Sequence, residues 1–215
     1  MSPKQSKQAK VASKPQSNHG QIRIEVNKLP LVLDDDCKVL ILGIFPGEES
    51  QKNGFYYCDS RNRFWKVLEK LFNDWVPKCF CGRREYLLMH HIALWDVGAC
   101  AKIKTIKTGN RKKNEVEVLR PNAVCCLLKM MVEKNKDIAV FCNGGDAKSE
   151  YDKHIKPIVG IDAVELPSTS GVNANYRIDT LVKKWQIVAD YINGKPISSI
   201  NIASAATTKA LNCQP

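Results

Sequence analysis

No run of 18 apolar residues occurs in this chain, so no segment reads as a membrane-spanning helix. The amino-terminal stretch lacks the compact apolar core of a signal peptide, and secretion is not expected. No acid precedes Glu25, although Lys4, Lys7, Lys10 and Lys14 do, in a stretch rich in Ser and Gln. Such a segment buries too little surface to offset its ordering entropy, so residues 1–22 are expected to form a disordered basic tail. Residues 196–215, small and polar, are expected as a flexible appendage. The nine cysteines form neither a disulfide framework nor paired Cys-x-x-Cys knuckles; Cys79-x-Cys81 and Cys125-Cys126 stand closest together. A reducing, intracellular compartment is the expectation, nuclear if the source is eukaryotic. Cys125, Cys126 and Cys142 lie in apolar segments and read as small core residues. His90 and His91 lack a third ligand at useful spacing, so no metal is expected, and no cofactor. Internal repeats are absent.

What remains is an ordinary globular composition. The 215 residues are 44% apolar and 26% charged, enough for one domain over residues 23–195. Lys and Arg number 33 against 22 acids, a formal charge of +11, which suits a protein that binds polyanions by releasing counterions.

Short apolar runs at 38–43, 91–95, 138–142 and 162–166 read as strands and alternate with helical patterns. Phe64, Val67, Leu68, Leu71 and Phe72 share one helical face, as do Ala123, Val124, Leu127, Leu128, Met131 and Val132. Ile178, Leu181, Val182, Trp185, Val188, Ala189 and Ile192 form a third stripe, ended by Asn193-Gly194, which places Trp185 in the core. The fold class is therefore α/β: a three-layer α/β/α sandwich around a central, mainly parallel, four-stranded sheet. Residues 101–118 carry six basic residues and two acids with little helical periodicity, and read as an exposed loop at the carboxyl end of the second strand.

The first strand breaks into Gly43-Ile44-Phe45-Pro46-Gly47, a turn that presents backbone amides where open α/β sheets bind ligands. Downstream stand Phe55-Tyr56-Tyr57, Asn62-Arg63-Phe64-Trp65, Ala93-Leu94-Trp95-Asp96, Asn143-Gly144 and Pro167-Ser168-Thr169-Ser170. Those pieces, in that order over about residues 38–192, resemble the uracil-DNA glycosylase superfamily. Its DNA-deoxyinosine (hypoxanthine) branch is the most similar, because the mismatch-specific thymine and uracil glycosylases carry Asn where Phe45 stands.

The resemblance implies base flipping followed by hydrolysis of the bond between base and deoxyribose, leaving an abasic site. Deoxyinosine is the foremost substrate expected and deoxyuridine the second; a mismatch-type uracil or thymine glycosylase and a non-catalytic nucleic-acid-binding module of the same fold are the alternatives. The partner implied is DNA, double-stranded or also single-stranded, bound by a monomer.

Phe45 could stack on the flipped base, which is worth about 1 to 3 kcal/mol, or serve as a core aromatic. Backbone amides near Ile44 and Phe45 would meet the departing base. Asn62 takes the place of the residue that positions water, with helix capping as its structural alternative; Asp59 is the rival for either task. Ser168 stands where relatives carry His or Asn, and can donate one hydrogen bond to the leaving group.

Tyr57 or Tyr56 would line the pocket wall, and Trp95 with Asp96 would end the second strand beside it, Asp96 either contacting the base edge or bracing a loop. Asn143-Gly144 reads as a structural brace. Ser170, Gly171, Val172 and Asn173 occupy the stretch that enters the duplex, with Val172 as wedge, although Gly171 departs from the Pro-Ala-Asn of many relatives. Arg61, Lys104 and Lys107 are the candidate phosphate contacts. The basic tail would serve DNA contact or nuclear targeting, or have no role beyond solvation. No lysine stands out as a Schiff-base nucleophile, which points to a monofunctional enzyme.

Overall fold

A computed structural model describes residues 21–108, 111–134, 136–173 and 175–197. The expected tails therefore fall almost wholly outside the described residues, except that strand β1 (Gln21–Val26) begins inside the stretch read as tail.

The four apolar runs are strands, each within one residue of the expected start. They are β2 (Val39–Gly43), β3 (Ile92–Asp96), β6 (Ala139–Asn143) and β7 (Ala163–Leu166). They form one parallel sheet in the order β3-β2-β6-β7. β2 is buried along its whole length, and its side chains alternate between two cores. Val39 and Ile41 join a cluster built from α2 (Phe64–Phe72), α3 (Phe80–Met89) and α7 (Ile178–Ile192). Leu40 and Leu42 face a second cluster, from α4 (Val124–Glu133), α5 (Gly145–His154) and α6 (Lys156–Val159). Helices on both faces of a parallel sheet give the expected three layers. Trp185 is fully buried in α7 and also donates its indole N–H to the carbonyl of Pro167 over 3.0 Å, so one core side chain sets the height of the Pro167 turn.

The stretch 101–118 corrects the expectation of a loop. It lies within a hairpin of β4 (Gly98–Thr108) and β5 (Arg111–Pro121), which with β1 makes a second, antiparallel sheet in the order β1-β4-β5. Ala101, Ile103 and Val118 are buried, while Lys102 pairs with Glu117 across the strands at 3.3 Å and Lys104 with Glu115 at 3.7 Å. The lysines belong to the outer face of an alternating strand, and the acids opposite neutralise them. The short helix α1 (Glu48–Asn53) follows the Phe45-Pro46-Gly47 turn. The chain then crosses from β3 to the hairpin through Val97 and Gly98, whose N–H groups donate to the carbonyls of Gly43 (2.8 Å) and Ile44 (2.9 Å). These bonds anchor the small sheet beside the carboxyl ends of the large one.

Candidate active site

The parallel register brings Gly43 opposite Asp96, and Asn143 opposite Leu166, at one edge of the sheet. A groove of about 770 Å³ opens there. Ile44, Phe45 and Gly47 of the first turn line it, with Tyr57, Asp59, Arg61 and Asn62, and Ser168, Ser170, Val172 and Asn173 from the other side. The second sheet supplies the far wall through Arg23, Thr105, Lys113, Asn114 and Val116. A smaller cavity of about 310 Å³ meets the groove at Tyr57, Asp59 and Asn62 and extends toward Trp75 and Arg83.

Asn62 sits between the two cavities, half-buried, one residue before the N-cap of α2. Its Oδ1 accepts the N–H of Phe64 at 3.0 Å and the hydroxyl of Thr169 at 2.9 Å. Thr169, fully buried, is held in turn by Asn143, which donates from Nδ2 to the hydroxyl oxygen (2.9 Å) and accepts the Thr169 N–H at Oδ1 (3.0 Å). Asn62 thus contacts the helix start and the groove at once, and Asn143 braces the Pro167 turn. Gly144 adopts φ +107°, and a Cβ there would stand 2.9 Å from the Cβ of Ser168, so glycine lets these two turns close on one another.

Asp59 does not cap the helix. Both of its oxygens bind the Arg61 guanidinium, at 3.1 and 2.8 Å, and the Arg61 N–H closes a local turn onto it at 2.9 Å. Hydrogen bonds from Arg61 hold its carboxyl below the usual carboxylate range. It is an ionised group at the groove wall, already committed to a partner.

Tyr56 and Tyr57 separate cleanly. Tyr56 is 2% exposed, donates to the Pro30 carbonyl and belongs to the core. Tyr57 lines the groove with its ring stacked on Phe64 at 4.0 Å between centroids, and its backbone is in the left-handed region at φ +54°. Its hydroxyl is buried near the Asn143 side-chain amide, without a hydrogen bond of good geometry. Burial, then the charge of Asp96, raises its pKa above the usual phenol range. Asp96 lies behind this ring, 3% exposed, with its carboxyl pushed up to about 7 by burial and partly restrained by the Asn27 amide at 3.1 Å. A Cβ at Gly43 would stand 2.3 Å from Asp96 Oδ1, so only glycine fits at the end of β2.

Phe45 is 8% exposed and packs on Ala101 and Ile103 while still contributing to the groove wall. Ser168 accepts the Ser170 N–H at 3.2 Å, which leaves its hydroxyl proton available. Val172 is 67% exposed at the groove rim. Gly171 meets the Arg61 loop so closely that a Cβ would fall 2.7 Å from the Arg61 Cβ, which explains a glycine where rigidity was expected from proline. Gly43, Pro46, Trp95 and Asp96 do not line either cavity. Trp95 instead packs at the margin of both helical cores, because alternation along β3 turns it away from Asp96. Lys104 is engaged by Glu115, and the Lys107 side chain lies outside the described residues.

The side chain that sequence reasoning missed is Arg63. Its guanidinium donates to the carbonyls of Ser170 (2.9 Å), Asn173 (2.8 Å) and Tyr176, with a longer contact to Thr169 at 3.4 Å. The Arg63 N–H reaches the Thr169 carbonyl as well, at 3.0 Å. One cation therefore meets four carbonyls of this loop, those of Thr169, Ser170, Asn173 and Tyr176. No local periodicity carries that signal, since the partners are more than 100 residues away.

The fold is thus a parallel α/β/α sheet whose carboxyl edge forms a groove with an aromatic wall and an exposed apolar rim. The sequence model of the uracil DNA glycosylase superfamily matches residues 30–191. The chain belongs to that superfamily, and by that membership is a DNA glycosylase. It is 28% identical over 150 residues to a hypoxanthine DNA glycosylase of Methanosarcina acetivorans, covering 68% of this chain and 87% of that one. A hypoxanthine DNA glycosylase of Methanosarcina barkeri is 29% identical over 147 residues, covering 67% and 85%. A solution NMR structure of a Methanosarcina acetivorans protein, provisionally assigned as a uracil DNA glycosylase, superposes with a TM-score of 0.62. It is 25% identical and covers 80% of this chain and 99% of its own.

Proposed function

We propose that the protein is a monofunctional DNA repair glycosylase that releases deaminated bases, hypoxanthine foremost and uracil second, and leaves an abasic site. The observation that carries this reading is Asn62 lining the groove together with Tyr57 and Ser168 and joined through Thr169 to the Pro167 turn. Phe45 and Tyr57 line the groove as apolar walls for a flipped base, and Val172, exposed at the rim, would fill the gap left in the stack.

The reaction is a displacement at the anomeric carbon. Water oxygen bonds to C1′ as the bond from C1′ to the base nitrogen breaks and the electron pair leaves with the base. The water sheds a proton to solvent, and the base takes one up. The neutral amide of Asn62 and the hydroxyl of Ser168 act by position and hydrogen bonding, because neither takes up a proton near neutral pH. Weak leaving-group assistance suits a purine such as hypoxanthine better than an unactivated pyrimidine. The binding form is proposed as a monomer acting on duplex DNA in an intracellular setting.

The test is a substrate panel: duplexes with one deoxyinosine, deoxyuridine or mismatched thymine, with alkaline cleavage of the product and identification of the free base. Release ranked with hypoxanthine first, and no strand cleavage before alkali, supports the reading; faster release of mismatched thymine would replace it with the mismatch-type activity. Tight binding with no release from any duplex would favour the non-catalytic module.

A further inference from the structure

The hydrogen bonds around Asn62 fix which end of its amide is engaged by the protein. A backbone N–H can only donate, so the Asn62 atom 3.0 Å from the Phe64 nitrogen is its carbonyl oxygen. The same logic orients Asn143, whose oxygen takes the Thr169 N–H and whose nitrogen must then face the Thr169 hydroxyl. A hydroxyl that accepts from Asn143 Nδ2 has its single proton left to give, and it gives it to Asn62 Oδ1 at 2.9 Å. Every proton in the chain from Asn143 through Thr169 to Asn62 has one direction. Both lone pairs of Asn62 Oδ1 are thereby used, while Nδ2 has no partner among the described residues and is not buried.

We propose that Thr169, backed by Asn143, is a positioning residue that locks Asn62 with its amide N–H, not its carbonyl, directed into the groove. Resting on the glycosylase reading above, this makes Asn62 a hydrogen-bond donor to the departing base, where negative charge grows as the glycosidic bond breaks. It is not the acceptor for the proton of the attacking water. A donor aimed at developing charge strengthens in the transition state, and loss of one such donor costs about 100- to 1,000-fold in rate.

Replacement of Asn62 by Asp separates the two roles. The carboxylate keeps acceptor oxygens for Phe64 and Thr169 but turns a second oxygen, in place of the N–H, toward the base. The donor role predicts a fall of at least about 100-fold in single-turnover base release. An acceptor for water predicts that Asn62→Asp keeps or gains rate, and that result overturns the proposal. Thr169→Val keeps the volume but removes the hydroxyl; it is expected to slow release about 10-fold or more while binding to an abasic-site duplex stays within about two-fold, and Thr169→Ser is expected to restore the rate. Equal losses of rate, binding and thermal stability in both Thr169 variants would assign the residue to folding alone.

A readout independent of turnover is the side-chain amide pair of Asn62 in nitrogen-15 NMR spectra, assigned by its disappearance in Asn62→Asp. The pair should shift when a duplex containing a non-hydrolysable 2′-fluoro deoxyinosine is added, and should shift less in Thr169→Val. An unmoved pair contradicts the donor role even where the wild type releases base. A moving pair with no release by the wild type upholds the geometry and sinks the glycosylase reading instead.

Discussion

The Arg63 guanidinium donates to the main-chain carbonyl of Asn173 over 2.8 Å, tying the start of α2 to the far end of the loop that bears Val172. That bond, with its companions to Ser170 and Tyr176, does for the loop what a proline would do by restricting the backbone. Replacing Arg63 by Met should lower the unfolding free energy by about 2 to 3 kcal/mol, since several carbonyls lose a charged donor at once. Urea denaturation measures this. A loss under about 0.5 kcal/mol, the range of a neutral surface change, would show the clamp to be idle.

Val172→Ala should behave in the opposite way. With 67% of its surface exposed, the side chain contributes little to the fold, and stability should stay within about 0.5 kcal/mol. Release from duplex DNA should nevertheless fall several-fold, while release from a single strand, where no gap needs filling, stays constant. The ratio of the two single-turnover rates is the measurement, and an unchanged ratio removes Val172 as wedge.

Asp96 makes the molecule sensitive to pH. Burial raises its carboxyl to about 7 in the folded protein, above the ordinary value near 3.8 that the unfolded chain restores. Between those values the folded state holds the extra proton, so stability falls as pH rises through the window and the penalty is complete above about 7. Asp96→Asn should therefore leave the melting temperature unchanged near pH 3.5 and raise it at pH 8, by on the order of a few kcal/mol in free energy. Parallel wild-type and variant profiles across that range would contradict this. Gly43 approaches this carboxyl so closely that a Cβ there would stand 2.3 Å from Asp96 Oδ1 and 3.2 Å from the Tyr57 hydroxyl.

The charge of the tail predicts a salt effect. Lys4, Lys7, Lys10 and Lys14 carry four charges with no acid before Glu25, whereas Lys102 and Lys104 of the hairpin are paired with glutamates. Deleting residues 1–20 should flatten the dependence of duplex affinity on salt, by about 0.9 in slope for each phosphate that the tail had neutralised. A slope unchanged by the deletion leaves the tail as a solvated appendage.

The large sheet was legible because buried parallel strands are continuous apolar runs, and Val39–Gly43, buried at every position, is the clearest of them. The small sheet was not. In β1, the apolar residues Ile22, Ile24 and Val26 face outward at 57%, 66% and 54% exposure, the reverse of what alternation leads one to expect. The hairpin did carry a signal, for Lys102-Ile103-Lys104 and Glu115-Val116-Glu117-Val118 alternate with period two on either side of Gly109-Asn110, yet the density of lysine reads as solvent. At the site, Asn62, Tyr57, Ser168 and Val172 stood in recognisable motifs and do converge on one groove. Trp95 stood in a motif too but is turned away by the pleat, and Arg63 and Thr169 act through contacts between residues 107 apart in sequence.

The central claim is that Asn62 drives base release at this groove, and the most direct measurement is single-turnover release of hypoxanthine from a deoxyinosine duplex by wild type and Asn62→Ala. Affinity for an abasic-site duplex is measured beside it. A rate lower by about 100-fold or more with affinity within about two-fold is the predicted result. A variant as fast as the wild type, or one whose rate, affinity and melting temperature collapse together, would contradict the claim and leave Asn62 as a structural link between the start of α2 and Thr169.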